Sequence, residues 1–262
     1  MRDRVSATEG TTEGGLQGSV DRARHREQRA AAQRRYGWRM LYRAGAMILK
    51  PVAQVLYRPA ITGVDNIPPE GGVILASNHL SFIDSFAIPL VAPRKVSFLA
   101  KAEYFTGAGP LGLLRRGFFA GVGAIPVDRD SSRAAQESLD LALGVLREGG
   151  AFGIYPEGTR SRDGRLYRGR TGVGWLALTA GVPVVPVGLR GTDRIQPVGS
   201  SWPRLAKVSV AFGPPIHPET YAGMPAGRAR RELTDDVMDA IAILSGQDRA
   251  AEYNAAPSSG TD

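Results

Sequence analysis

The chain has 262 residues, which is enough for one large domain with a substantial core, and 43% of them are hydrophobic, as is typical of a globular protein. It contains no cysteine, which excludes disulfides, thiolate metal sites and cysteine nucleophiles. The formal net charge of +8 belongs to one segment, because residues 22–58 hold nine arginines and Lys50 against Glu27 alone. The rest of the chain is nearly neutral, so its charge does not indicate a nucleic-acid-binding domain.

The first 58 residues divide into two predicted segments. Residues 1–20 are polar, with several glycines and threonines, which predicts a disordered tail. Residues 21–58 predict basic amphipathic helices whose uncharged runs are far shorter than the roughly 20 residues that span a bilayer. We expect this segment to lie on an anionic membrane surface. The alternative is a helix that packs on its own domain with its arginines in solvent. Because no apolar signal peptide opens the chain, we expect a peripheral protein at the cytoplasmic face of the cell membrane.

From residue 59 onward the chain alternates between predicted strands and helices. The predicted strands are 60–64, 73–77, 96–100, 123–127, 152–155, 184–189 and 207–212. The predicted helices are 82–90, 131–147 and 228–245, and glycines and prolines divide the uncharged run 171–189 into a short helix, a turn and a strand. This alternation predicts an α/β fold, with a single domain over residues 59–246 and a largely parallel or mixed central sheet flanked by helices. Residues 247–262 are predicted to form a flexible tail.

A histidine and an aspartate five residues apart, His79 and Asp84, stand where the predicted strand 73–77 gives way to the next helix. Ser81 between them is a favourable helix N-cap. With His79 in the loop before that cap and Asp84 in the first turn, the carboxylate can point back along the helix axis toward the imidazole. A carboxylate bonded to one ring nitrogen leaves the other nitrogen to act as a general base. The alternative is a capping box, in which Asp84 serves only the start of the helix.

Further charged residues follow the predicted strands at their carboxyl ends, which is where open α/β sheets bind ligands. Lys101, Arg129 and Arg160 each stand in the stretch after a different strand. Basic side chains that converge on one rim would bind a phosphate group. Taken singly, each could equally form a surface ion pair. A solvated basic loop or a second anion contact is predicted for Arg165, Arg168 and Arg170.

Four ordered stretches of the sequence resemble the four motifs of the glycerolipid acyltransferases. They are residues 78–84, 123–129, 155–161 and 182–187. More specifically, the chain is similar to the bacterial 1-acyl-glycerol-3-phosphate acyltransferases over residues 60–216. Four motifs in order are far more specific than a single histidine and aspartate pair. Two departures are the presence of Tyr155 where the family usually has phenylalanine, and arginines in place of lysines in the loop through Arg170.

The resemblance implies a role for each matching residue. His79 would be the general base and Asp84 its orienting partner. The glycerophosphate acceptor would be bound by Arg129, by the third motif, and by Lys101 as a further phosphate contact. The third-motif residues concerned are Glu157, Gly158, Thr159 and Arg160. In the fourth motif, Pro183 and Pro186 would shape the core and the acyl channel.

The implied activity is transfer of a fatty acyl group from acyl-CoA or acyl-carrier protein to the free hydroxyl of 1-acyl-glycerol-3-phosphate, which gives phosphatidic acid for phospholipid biosynthesis. We expect no cofactor, no nucleic-acid partner and no metal site, since the three histidines lack ligand-like neighbours. One alternative is another lysophospholipid or a glycolipid as acceptor. Another is a non-catalytic basic adaptor that would bind membranes through residues 1–58 alone. A serine hydrolase is not indicated, because the sequence has no Gly-x-Ser-x-Gly motif.

Overall fold

Strands and helices alternate along the chain as the sequence predicts. The computed structural model describes residues 51, 55–101, 112, 123–127, 134–197 and 204–255. The strands are β1 (Ala60–Thr62), β2 (Val73–Ser77), β3 (Val96–Lys101), β4 (Ala124–Val127), β5 (Ala151–Ile154), β6 (Val184–Arg190) and β7 (Ser209–Phe212). The helices are α1 (Asp84–Val91), α2 (Ala134–Arg147), α3 (Gly172–Ala180), α4 (Thr192–Ile195) and α5 (Ala226–Ser245), with 3-10 turns at Val64–Asn66 and Pro218–Tyr221. Each predicted strand is found with ends that agree to within two residues.

The seven strands of the described chain form one mixed sheet in the order β1-β7-β6-β2-β5-β3-β4. Five neighbouring strands, from β6 to β4, run parallel. At the other end of the sheet, β7 is antiparallel to β6 and β1 is parallel to β7. The predicted α/β class with a largely parallel, mixed sheet is therefore confirmed. Because parallel neighbours end at the same edge of a sheet, the loops that follow β2 and β5 meet.

The central strand β2 is buried along its whole length. Ile74 and Ala76 face a core formed with α2, α3 and α5, whereas Val73 and Leu75 face a second core that includes residues of α1 and β7. A parallel strand covered on both faces needs such a continuous apolar run. Each fully buried valine, leucine or isoleucine adds about 1.5–3 kcal/mol, so β2 is a rigid base for the residues that follow it.

The start of α1 differs from the prediction. The helix begins at Asp84 with Ile83 as its N-cap, and no side-chain hydrogen bond caps it. Ser81 lies in the turn before the helix, where its N–H donates to the Asp84 carboxylate at 2.8 Å. The prediction that Ser81 caps the helix is therefore wrong. The helix begins two residues later than predicted, and the Ser81 hydroxyl accepts the N–H of Ile83 at 3.4 Å in the turn before it.

The basic segment predicted at residues 21–58 lies outside the described residues except for residue 51 and residues 55–58, and the tail predicted at residues 1–20 lies outside them entirely. Val55, Leu56 and Tyr57 are helical, and Tyr57 packs against the core beside β7 while Val55 and Leu56 are exposed. In the part of the chain that the structure describes, no helix has both the length and the apolar character needed to cross a bilayer.

Part of the tail predicted at residues 247–262 is paired with another part of the chain, and residues 256–262 lie outside the described residues. The N–H of Leu166 donates to the carbonyl of Asp248 at 2.9 Å, and the N–H of Ala250 donates back to Leu166 at 2.8 Å. The N–H of Arg168 then donates to the carbonyl of Glu252 at 2.9 Å. We call residues 247–254 the C-terminal strap. A polar composition predicts exposure but does not reveal that a neighbouring loop offers unpaired backbone groups.

Candidate active site

The loops that follow β2 and β5 are bonded to each other at His79. His79 follows β2 by two residues, and Glu157 follows β5 by three. The N–H of His79 donates to Glu157 Oε1 at 3.2 Å, and the carbonyl of His79 accepts the N–H of Ser161 at 2.7 Å. The first and third motifs of the sequence therefore meet in one site at the carboxyl edge of the sheet.

His79 and Asp84 form a hydrogen-bonded pair. His79 Nδ1 donates to Asp84 Oδ2 at 2.8 Å, and the Asp84 side chain is completely buried while that of His79 is 16% exposed. The same Oδ2 accepts the backbone N–H groups of Leu80 at 2.6 Å and Ser81 at 2.8 Å. Asp84 therefore orients the imidazole and also shapes the turn before α1, as the two interpretations of the sequence require. Within the described residues nothing bonds to His79 Nε2, so this nitrogen is left to accept a proton.

Glu157 is a buried residue that binds the backbone of the loops around His79. Its side chain is completely buried, with Oε1 bonded to the N–H of His79 and Oε2 bonded to the N–H of Tyr167 at 2.9 Å. Burial raises the pKa of Glu157 from 4.5 to about 7, although the two N–H groups act in the opposite direction. A carboxylate with both oxygens occupied by the backbone holds the two loops together. This arrangement differs from the direct contact with the acceptor that the resemblance implies.

Asn78, immediately before His79, joins β2 to β6 through its side chain. Its Oδ1 accepts the N–H of Leu189 at 2.8 Å, and its Nδ2 donates to the carbonyl of Leu189 at 2.9 Å. Nδ2 also donates to Gln247 Oε1 at 2.7 Å, and Gln247 Nε2 donates to the carbonyl of Gly164 at 2.7 Å. The strap is thus connected to the residue beside His79. This connection could not be predicted from the sequence, because Asn78 and Gln247 are 169 residues apart and no local pattern links them.

The outer part of the third-motif loop lies against the strap and Arg170. Gly158 has a φ of +82°, and a Cβ at this position would stand 3.0 Å from Arg170 Nε. Glycine is therefore favoured here both by its backbone conformation and by the space that Arg170 takes. Thr159 and Arg160 are half-buried, and the carbonyl of Arg160 accepts Asn254 Nδ2 at 3.1 Å. The backbone of the predicted acceptor-binding residues is held from one side by the strap.

The basic residues beyond this loop lie at the surface. Arg165 Nε pairs with Asp163 at 2.7 Å, and this hydrogen bond holds the pKa of the Asp163 carboxyl well below its usual range. Arg168 and Arg170 lie over the ring of Tyr253, with guanidinium carbons 5.2 and 5.7 Å from its centroid. The ring of Tyr253, a residue of the strap, therefore makes cation–π contacts with two arginines. No sequence motif predicted this arrangement.

Two predicted phosphate contacts are described only in part. Lys101 ends β3 beside Val127, the last residue of β4, but its side chain lies outside the described part of the chain. Arg129 lies outside the described residues altogether. β3 and β4 run parallel to β5, so both positions follow strands that end at the same edge as β5. The roles of Lys101 and Arg129 stay predictions.

In the sequence, Tyr155 stands out only as a departure from the usual third motif. In the structure its ring is stacked on the imidazole of His79, with the ring centroids 3.8 Å apart and the planes 7° from parallel. Its hydroxyl is hydrogen-bonded to Ser85 Oγ at 2.9 Å. The only signal in the sequence was an aromatic residue at the end of a strand next to β2, which does not specify a stack.

Comparison with known proteins identifies the family. An acyltransferase family model matches residues 58–190, which is about half of the chain and includes His79, Asp84 and the third motif. The chain belongs to the acyltransferase family. The chloroplastic 1-acyl-sn-glycerol-3-phosphate acyltransferase of Arabidopsis thaliana is 32% identical to this acyltransferase over 183 residues, which are 69% of this chain and 49% of that protein. The corresponding protein of Bacillus subtilis is 24% identical over 209 residues, 79% of this chain and 98% of its own length.

The acyltransferase spans only part of some relatives. It covers 40% of the chloroplastic relative from Brassica napus, to which it is 32% identical over 145 residues, and about half of the one from Arabidopsis thaliana. Among solved structures, the 1-acyl-sn-glycerophosphate acyltransferase of Thermotoga maritima superposes with a TM-score of 0.58 at 24% identity, covering 82% of each chain. This similarity supports the same fold for the acyltransferase described here.

Proposed function

We propose that this acyltransferase moves a fatty acyl group from a thioester donor to the free hydroxyl of 1-acyl-glycerol-3-phosphate, which gives phosphatidic acid. The observation that carries the proposal is the 2.8 Å hydrogen bond between His79 Nδ1 and Asp84 Oδ2, beside the third-motif loop. Support for the acceptor comes from the relatives of Arabidopsis thaliana and Bacillus subtilis, which are named for this substrate.

His79 acts as the general base in this mechanism. Its Nε2 removes the proton from the acceptor hydroxyl as that oxygen attacks the thioester carbonyl. Asp84 keeps the Nδ1–H tautomer in place before the attack and stabilises the imidazolium after it. When the carbon–sulfur bond breaks, the imidazolium returns its proton to the leaving thiolate. A positioned base contributes about 10²–10⁴-fold, so the orientation of acceptor against thioester must supply much of the remaining acceleration.

Basic side chains bind the phosphate of the acceptor in this proposal. Lys101, Arg129 and Arg160 supply the positive charge, while Gly158 and Thr159 line the loop beside the acceptor. The donor is acyl-CoA or acyl-carrier protein. Residues 21–58 hold the protein at the cytoplasmic face of the membrane, where each lysine or arginine near an anionic surface adds about 1 kcal/mol.

The test of the chemistry compares two histidine variants of the purified protein. His79→Ala should lose acyl transfer from oleoyl-CoA to 1-acyl-glycerol-3-phosphate, with the lipid product identified by mass spectrometry. The matched control is His217→Ala, since this histidine is 60% exposed and lies far along the chain in the segment before the second 3-10 turn. Activity of His79→Ala above about a tenth of the wild-type rate would exceed the loss that removal of a base predicts and would overturn the assignment.

Parallel assays separate the alternatives. Replacing oleoyl-CoA by oleoyl-acyl-carrier protein identifies the donor, and a panel of another lysophospholipid and a glycolipid tests the acceptor. A product that is only free fatty acid would contradict acyl transfer. Deleting residues 1–50 keeps Tyr57, which packs against the core. A transferase should keep activity on a short-chain acceptor after this deletion, whereas a basic adaptor would show no transfer with or without it.

A further inference from the structure

The imidazole of His79 is covered on one face by the ring of Tyr155. The ring centroids are 3.8 Å apart and the planes deviate from parallel by 7°, so the two rings are in face-to-face contact. Tyr155 immediately follows β5, the strand that pairs with β2 along four residues. The stack therefore joins the residues that follow two neighbouring strands of the central sheet.

We propose that Tyr155 is the positioning residue that fixes the plane of the His79 ring and so the direction of Nε2. The inference rests on the proposed role of His79 as the base. The hydrogen bond from Nδ1 to Asp84 fixes one edge of the imidazole but leaves the ring able to tilt about that bond. A flat ring in contact with one whole face of the imidazole prevents this tilt.

The position of Tyr155 is itself fixed by contacts at both ends of its side chain. Its hydroxyl is hydrogen-bonded to Ser85 Oγ at 2.9 Å, and Ser85 is the neighbour of Asp84 in the first turn of α1. Its ring packs near the buried ring of Phe98, with centroids 5.6 Å apart. The same turn of α1 therefore holds Asp84 against the edge of the imidazole and Tyr155 against its face.

The stack also suits the charge that His79 acquires during the reaction. The face of a tyrosine ring is electron-rich and attracts a positive charge above it. When Nε2 takes the proton of the acceptor hydroxyl, the imidazole becomes a cation directly over this face. Tyr155 would therefore stabilise the base most when it carries the proton, and its effect should appear in kcat. The hydroxyl of Tyr155 is engaged by Ser85, so the proposal gives it no direct part in proton transfer.

The experiment compares Tyr155→Phe with Tyr155→Leu and Tyr155→Met in the acyl-transfer assay. Phenylalanine keeps the stacked ring, whereas leucine and methionine fill a similar volume without a flat face. We expect Tyr155→Phe to keep kcat within about threefold, because the stacked ring is kept while the hydroxyl bond to Ser85 is lost. The two aliphatic variants should lose about 10- to 100-fold in kcat, with the KM values for acceptor and donor within about twofold, since a misoriented catalytic group costs rate rather than binding.

The melting temperature of each variant separates positioning from folding. A variant within about 2 °C of the wild type is folded well enough to decide the question. The proposal is overturned if such an aliphatic variant keeps more than a third of the wild-type kcat, if Tyr155→Phe is as damaging as the aliphatic variants, or if both aliphatic variants lose the fold. Failure of the proposed function would give a different result. Either the wild type would show no acyl transfer, or His79→Ala would retain it, independently of the kcat values of the Tyr155 variants.

Discussion

The buried Glu157 gives a prediction about how stability depends on pH. Its carboxyl has a pKa of about 7 in the folded protein because burial disfavours the charged form, against 4.5 without these surroundings. Between these two values the folded state holds a proton that the unfolded state has released. The free energy of unfolding contributed by Glu157 is therefore fully present below pH 4.5, falls as the pH rises, and is lost above pH 7.

The size of the effect follows from the same two values. A shift of one pKa unit corresponds to about 1.4 kcal/mol, so raising the pH from 5 to 8 should remove about 2–3 kcal/mol of stability through this group. In Glu157→Gln the side chain no longer titrates. The glutamine side chain has one oxygen and one NH2 group, whereas both backbone groups that Glu157 binds, the N–H of His79 and the N–H of Tyr167, are donors. One of these N–H groups would therefore face another donor. That mismatch costs about 1–3 kcal/mol, but the cost does not change with pH.

The assay is urea denaturation followed by circular dichroism at pH 5, 6, 7 and 8. The stability of the wild type relative to Glu157→Gln should fall by about 2–3 kcal/mol across this range. Glu137→Gln is the control, because Glu137 is an exposed glutamate of α2. If the difference between wild type and Glu157→Gln stays constant with pH, or if Glu137→Gln gives the same trend, the reasoning about the buried carboxyl is refuted.

Three further variants test the rest of the site. Asp84→Asn should stay folded but lose about 5- to 13-fold in kcat, because a charge-assisted hydrogen bond of about 1.5–3 kcal/mol becomes a neutral one of about 0.5–1.5 kcal/mol; an unchanged kcat would contradict this. Gly158→Ala and Gly164→Ala both strain a left-handed residue, with φ of +82° and +81°, by about 1–2 kcal/mol, but only the former crowds a neighbouring side chain. Both melting temperatures should fall because of this strain, with the larger fall in Gly158→Ala, and only Gly158→Ala should raise the KM for the acceptor. Gln247→Ala removes a partly buried hydrogen bond to Asn78 and an exposed one to the carbonyl of Gly164, and it should lower the free energy of unfolding by about 1–3 kcal/mol. Gln136→Ala, which removes an exposed side-chain hydrogen bond, is the control, and equal losses in the two variants would show that the strap is not held through Gln247.

The strands and their order along the chain could be predicted from local patterns. β2 was predicted with both ends correct, because a run of apolar residues between a glycine pair and a polar motif suits a buried central strand. The pairing of His79 with Asp84 was also accessible, since five residues across the start of a helix bring the two side chains together. Both features could be predicted because each is determined by residues that are close together in the sequence.

The parts of the site that the sequence did not reveal depend on contacts between distant segments. The two oxygens of Glu157 bond to backbone groups 78 and 10 residues away, and nothing in the third motif distinguishes this from contact with a ligand. The misplaced cap at Ser81 is a different kind of error, because the helix begins at Asp84 and the preference of serine for N-caps does not fix a helix boundary to within two residues. The hydrogen-bond partner of a side chain could not be predicted from the sequence where the tertiary fold decides which groups lie next to it.

The pairing between the C-terminal strap and the loop after β5 has a consequence for how the enzyme is made. Gln247 and Gly164 are 83 residues apart, so the loop leaves the ribosome well before the segment that braces it. Contacts of such long range close late in folding. Until they close, the N–H groups of Leu166 and Arg168 lack the partners that the strap supplies. An early stop codon that removes residues 247–254 should therefore lower acyl transfer even though His79 and Asp84 are intact.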